Sequence, residues 1–257
     1  MKEIVLNYKE LGEGTPVIIL HGFLGMLDNW KTFGRKLSEN YKVYLIDQRD
    51  HGRSPHTEDF SYTLLANDLY AFMDQHQIEK AHILGHSMGG KTVMKFTQLH
   101  PEKVLSTIVV DIAPKEYNNH HTDILDALHS ITPKDIEDRK DADDALSKHI
   151  EDWGVRQFLL KNLTRNPEGG YRWKMNLELL TDKYDSIIQP VDQVVSDFSC
   201  IFINGAKSNY IAENDKPEIL KVFPNASFYT IEDAGHWVHA EKGEELLEVV
   251  NGFLEGA

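Results

Sequence analysis

Ala81-His82-Ile83-Leu84-Gly85-His86-Ser87-Met88-Gly89-Gly90 decides how this 257-residue chain is read. An apolar run enters a turn of the form Gly-x-Ser-x-Gly, and Lys91 and Thr92 carry it into a helical pattern. Gly85 and Gly89 suit a tight, strained strand-to-helix turn. Such a turn lifts the Ser87 hydroxyl above a sheet, with the amides of the following helix aimed at the same spot. Ser87 is therefore expected to be a nucleophile. The same residues also fit a phosphate loop, Gly85-x-x-x-x-Gly90-Lys91-Thr92. Ile108-Val109-Val110-Asp111 even imitates the strand whose terminal acid holds magnesium in nucleotide hydrolases. Three features favour the serine turn. A phosphate loop needs no serine flanked in this way. It usually follows the first strand of its domain, whereas this turn follows the fourth apolar run. It also leaves His21-Gly22-Phe23 and Gly235-His236 without a role.

Working outward, short apolar runs alternate with amphipathic stretches. Strands are expected at 4–7, 17–20, 41–47, 81–84, 105–111, 200–204 and 227–231. Leu65, Leu69, Phe72 and Met73, and Leu246, Leu247, Val250, Phe253 and Leu254, recur at helical spacing. This alternation reads as an α/β fold, a mostly parallel sheet with helices on both faces. Function in such sheets gathers at the carboxyl ends of the strands. The rhythm breaks after Asp111. From about 113 to 189 the chain is polar, charged and helical in pattern, with no convincing strand. The expected division is one core, 1–112 and 190–257, carrying a helical cap inserted at 113–189.

An activated serine needs a base, an acid that orients the base, and donors for the oxyanion. Val17-Ile18-Ile19-Leu20-His21-Gly22-Phe23-Leu24 is an apolar strand ending in His-Gly. Its loop nominates the Phe23 amide as one donor, and the Met88 amide after the serine is the other. Among 13 histidines, His236 in Asp233-Ala234-Gly235-His236-Trp237 has the right place, after the last strand and before the terminal helix. His239 is expected to face elsewhere, and His120 and His121 to be solvated. The usual slot for the acid, after the penultimate strand, holds Ser208. Asp111, at the end of the strand after the serine helix, is the alternative and is taken as the acid. Ser208 supports it, and Glu213 and Asp215 are fallbacks. Leu24, Trp153, Phe158, Tyr210 and Trp237 are candidate pocket lining.

The formal charge of −14 disfavours nucleic acid and anionic lipid surfaces as partners. The single cysteine, Cys200, forbids an intrachain disulfide, and its apolar surroundings suggest a buried, inert thiol. No apolar stretch is long enough to span a bilayer. A soluble, cytoplasmic protein is expected, as a monomer or homodimer. His236 and His239 lack a third metal ligand. The acidic run from Asp141 has Leu146 where a calcium loop needs glycine and Asp152 where it needs glutamate. No metal or organic cofactor is expected.

The whole set resembles the α/β-hydrolase superfamily. Asp47-Gln48-Arg49-Asp50-His51-Gly52-Arg53-Ser54 looks like its Asp-x-Arg-x-x-Gly-x-Ser loop. More narrowly, Val110-Asp111-Ile112-Ala113-Pro114, Arg156-Gln157-Phe158-Leu159-Leu160-Lys161-Asn162-Leu163 and Tyr171-Arg172-Trp173 resemble the small YbfF-type acyl esterases. That resemblance implies the acid at Asp111, serine in the usual acid slot, and small ester or thioester substrates cleaved through an acyl-enzyme. The same triad also serves C–C hydrolases, lyases and perhydrolases, and fold alone does not choose among them.

Overall fold

A computed structural model describes residues 4–119 and 121–256. Its frame is a seven-stranded sheet. The strands are β1 (Tyr8–Leu11), β2 (Pro16–Leu20), β3 (Lys42–Ile46), β4 (Ala81–His86), β5 (Val104–Val110), then β8 (Cys200–Gly205) and β9 (Ala226–Ile231). Two short strands, β6 (Leu163–Arg165) and β7 (Tyr171–Trp173), pair separately. The sheet order is β1-β3-β2-β4-β5-β8-β9, and only β1 runs antiparallel.

The central strands are continuous apolar runs because both of their faces are covered. Pro-Val-Ile-Ile-Leu of β2 and Ala-His-Ile-Leu-Gly-His of β4 are almost wholly buried. Helices α1 (Lys31–Leu37), α2 (Tyr62–Gln75) and α3 (Met88–Leu99) connect the first half. Ser61 starts α2 by accepting the Leu64 amide at 3.2 Å, and Leu65, Leu69, Phe72 and Met73 form its buried face. The chain passes from β3 on one side of β2 to β4 on the other. That reversal opens a crevice at the carboxyl ends of β2 and β4, where α/β sheets bind ligands. Leu20 pairs with Gly85 there, so the His21-Gly22-Phe23 loop and Ser87 emerge side by side.

Between β5 and β8 lie α4 (Thr122–His129), α5 (Arg139–Leu146), α6 (Trp153–Leu160), the β6–β7 pair, α7 (Leu177–Asp182) and α8 (Tyr184–Ile188). Leu125, Leu128, Leu146, Leu159, Leu163, Leu177 and Leu180 build an apolar core here. It continues onto Leu24, Leu65 and Met88 of the sheet side. Asn162 donates to the Leu24 carbonyl at 2.8 Å, and Asn176 to the Asp50 carboxylate at 2.9 Å, which pins the segment to two loops of the sheet. The last third adds α9 (Lys216–Val222), α10 (Val238–Glu241) and α11 (Gly243–Glu255). Leu246, Val250 and Leu254 of α11 pack under the sheet.

Two sequence expectations need correction. The first strand is 8–11, not 4–7. Ile4–Asn7 has no ladder, although Leu6 is buried against α2, whereas Tyr8–Leu11 pairs with β3 as an edge strand. Backbone pairing, not hydrophobicity, defines that edge, so its polar residues hid it. The 113–189 segment is not free of strands either. The β6–β7 pair interrupts its helices, too short for a periodic signal to mark.

Candidate active site

Ser87 sits at φ 52° and ψ −120°, between the last residue of β4 and the first of α3. A side chain with a Cβ rarely holds this conformation, and it persists only where its surroundings enforce it. Here the Ser87 amide donates to the Val110 carbonyl at 3.0 Å, and its carbonyl accepts the Lys91 amide at 3.1 Å. Glycine is required at Gly22, where a Cβ would stand 2.8 Å from His86 Nδ1 and 3.2 Å from the Ser87 Cβ. Met88 opens α3 directly beside the serine, and Phe23 lines the cavities on both sides of it.

His236 reaches the same place from the loop after β9. Its Nδ1 lies 2.7 Å from Asp111 Oδ2. Asp111, itself at φ 51°, is fully buried at the end of β5. It accepts hydrogen bonds from the Ser208 hydroxyl on Oδ2 and from the Gly205 amide on Oδ1 at 3.2 Å. Burial is the largest influence on both members of the pair. It raises Asp111 to about 6 against the Ser208 and Gly205 donors, and lowers His236 to about 4. At neutral pH the imidazole is uncharged, and its Nδ1–H donates to the Asp111 carboxylate. Nε2 is left as an acceptor, the state a general base requires.

The imidazole is also gripped from its faces. The Tyr210 ring stacks on it at 3.8 Å and 15°. Tyr210 is held in turn by Tyr117, whose hydroxyl donates to the Tyr210 carbonyl at 2.7 Å. On another side the His86 ring lies 4.7 Å away, and His86 Nε2 donates to the His236 carbonyl at 2.8 Å. Sequence reasoning missed this role of His86. Its place inside the serine turn was the only available signal.

The Asp47–Ser54 loop buttresses the loop after β2. Asp47 accepts the Leu27 amide at 2.7 Å and the Arg53 amide at 2.9 Å. The Gln48 amide donates to His21 Nε2 at 3.0 Å, so His21 Nδ1–H donates to the Gly22 carbonyl at 2.8 Å. Thr92 on α3 donates to the Gln48 side chain at 2.9 Å, linking the serine helix to this loop. Arg49 and Asp68 form a buried two-point pair at 2.6 and 2.7 Å.

Two cavities meet at Ser87. The larger is lined by Phe23, Leu24, Ser87, Phe158, His236 and Trp237 among others. The smaller is lined by Phe23, Ser87, Met88, Lys91, Tyr117 and Tyr210 among others. Trp153 is not in either wall and is 65% exposed, which corrects its place among the lining residues. Val155, Phe158 and Leu159 form the inward face of α6, and Trp153 lies off that face. His239 does not face elsewhere: it stacks on Trp30 at 4.3 Å and lines the larger cavity. His121 is half-buried and lines both cavities, with Nδ1 2.7 Å from the Tyr184 hydroxyl. His120 lies outside the described residues. The fallback acids are engaged elsewhere, Glu213 with Lys216 at 2.6 Å and Asp215 with Lys115 at 2.5 Å. Cys200 is buried, and burial pushes its thiol up to about 12.

Residues 15–138 match the α/β-hydrolase fold family model. The chain is 34% identical to esterase YbfF of Escherichia coli, over 93% of each chain. It is 37% identical to a putative esterase/lipase of Haemophilus influenzae, over 99% of this chain and 90% of the other. The chain belongs to the α/β-hydrolase family. Among solved structures, a marine microorganism esterase superposes with a TM-score of 0.95 at 40% identity, covering 97% of this chain and 99% of that one. The chain is thus an ester hydrolase of the YbfF-like esterase group. Within the described residues, no helix is long and apolar enough to cross a membrane. No cluster of three or more His, Cys, Asp or Glu side chains among them could hold a metal ion.

Proposed function

We propose that this α/β-hydrolase cleaves small acyl esters or thioesters through an acyl-enzyme on Ser87. The observation that carries the reading is one junction. A serine held at φ 52° shares a cavity with His236, and the imidazole is backed at 2.7 Å by the buried carboxylate of Asp111. Ser87 Oγ attacks the carbonyl carbon as His236 Nε2 takes its proton. The Phe23 and Met88 amides receive the oxyanion. His236 then gives the proton to the leaving group, and in the second half activates the water that releases the acid. Asp111 holds the imidazole in the tautomer this needs, and Ser208 holds Asp111. The leaving group must lie within reach of the imidazole that protonates it, so it occupies the larger cavity. Residues 113–189 act as a cap over a core of 1–112 and 190–257, supplying Phe158 and Tyr184 to the cavity walls. The single buried cysteine suits a reducing cytoplasm.

The test is Ser87→Ala, assayed on p-nitrophenyl butyrate and by fluorophosphonate labelling. Turnover should fall by about 10⁴-fold or more, and labelling should vanish. Near-normal turnover in a folded Ser87→Ala protein would remove Ser87 from the role.

A further inference from the structure

Lys91 is the part of the serine-turn sequence that acyl transfer leaves without a task. It lies one helical turn after Ser87, and residues four apart share a helix face. Its side chain is 1% exposed, yet it lines the smaller cavity together with Ser87. Nζ donates to the carbonyls of Ile188 at 3.0 Å and Gln189 at 2.5 Å, and lies 4.9 Å from the centre of the Tyr117 ring. Those two carbonyls use two of the three ammonium donors. No carboxylate hydrogen-bonds to it among the described residues, and Glu116 acts on it only through space. Burial pulls the amine down to about 7. A buried cation without a counter-ion is costly, and one in a pocket wall beside a nucleophile marks a binding function. It is the more notable in a chain of net charge −14.

The cavities divide the substrate. His236 lines the larger one and is not in the wall of the smaller, so the leaving group belongs to the first and the acyl group to the second. We propose that Lys91 makes the smaller cavity a site for an acyl group ending in a carboxylate, so that the preferred substrates are half-esters of short dicarboxylic acids. This rests on Ser87 and His236 acting as nucleophile and base. The third N–H of Lys91 donates to the distal carboxylate, while Tyr117 and Ile112 wall the methylenes between. Hydrolysis is otherwise unchanged. Water adds across the acyl bond, the alcohol leaves with the proton from His236, and the dicarboxylate is released.

The experiment compares kcat/KM for monomethyl glutarate and methyl pentanoate, and for monomethyl succinate and methyl butyrate, at pH 6.5. Alkyl esters are used because a neighbouring carboxylate hydrolyses aryl half-esters unaided. The wild-type protein should prefer the charged member of each pair by about ten- to hundredfold, the worth of one charge-assisted hydrogen bond. Lys91→Met, similar in length but uncharged, should bring the ratio to one or below. A wild-type ratio of one or less, or a ratio unchanged in Lys91→Met, overturns the proposal. Should the variant not fold, competitive inhibition of the wild-type protein decides: glutarate should bind tighter than pentanoate, and equal inhibition overturns it. Turnover of the neutral esters alone would refute the carboxylate site while leaving the Ser87 reading intact. Turnover of no ester would sink both.

Discussion

Asp111 is where a single residue carries the most. It stands at φ 51° with no exposed surface, and its carboxylate serves His236, Ser208 and the Gly205 amide at once. Asp111→Asn should leave the backbone in place but present an amide to His236 Nδ1, favouring the wrong tautomer. Turnover should fall by about 10⁴-fold. Asp215→Asn, which removes the charge paired with Lys115 and perturbs the bond from the Ala212 amide, both away from His236, should stay within about twofold of the parent, since a partly exposed ion pair is worth little. Parallel assays of the two variants check this. Full loss in Asp215→Asn with activity kept in Asp111→Asn would move the acid elsewhere. At this scale the sequence was informative where a motif fixes a turn, as at Ser87, and silent where a role depends on a distant partner. Nothing in the order of residues says that His86 will donate to the carbonyl of His236, 150 positions away, or that Tyr210 will stack on that ring.

The elements explain how these residues come to meet. β2, β4 and β5 are parallel neighbours, so the loops after them open on one edge. The segment from α4 to α8 closes over that edge and is tied down by several polar contacts, among them Tyr62 to the Ile187 carbonyl, His56 to the Lys174 carbonyl and Asn176 to Asp50. Asn162 is one of them, fully buried, with its amide on the Leu24 carbonyl. Leu24 itself sits at φ 56°, adjacent to the Phe23 amide proposed for the oxyanion. Asn162→Ala should therefore loosen the loop after β2 as well as the cap. We expect kcat to fall by about tenfold, with a stability loss of about 1–3 kcal/mol from the unsatisfied carbonyl. Steady-state kinetics and urea unfolding on the same preparation would check both. A stability loss with kcat unchanged would show that Asn162 holds the cap without steadying the oxyanion loop.

At the scale of the whole molecule, the crevice is filled with neutral histidines. Burial lowers His21 to about 4 and His51 and His86 to about 3, and holds His239 well below its ordinary value. Each folded-state pKa lies below the unfolded value of 6.5, so the unfolded chain binds more protons as pH falls. Stability is then full above about pH 6.5 and is lost as pH drops from there toward 4. Asp111, raised, and His236, lowered, act in opposite senses and largely cancel. All four histidines therefore act in the same direction, destabilising the fold as pH falls below about 6.5. Urea midpoints should fall between pH 7 and 5.5. Equal midpoints at pH 7 and 5.5 would contradict the burial of these rings. The sequence by itself determined the layered α/β plan, because parallel strands covered on both faces must be apolar runs. It also determined the strained turn at Ser87, because glycines around a serine after such a run leave few other conformations. It located the acid and base only as candidates. The tertiary structure decided which distant groups meet: the Asp111–His236 contact, the edge strand at 8–11, the β6–β7 pair within the helical segment, and the burial of Lys91 in a cavity beside Ser87. Such features depend on pairing and packing between residues far apart in the chain, for which local periodicity carries no signal.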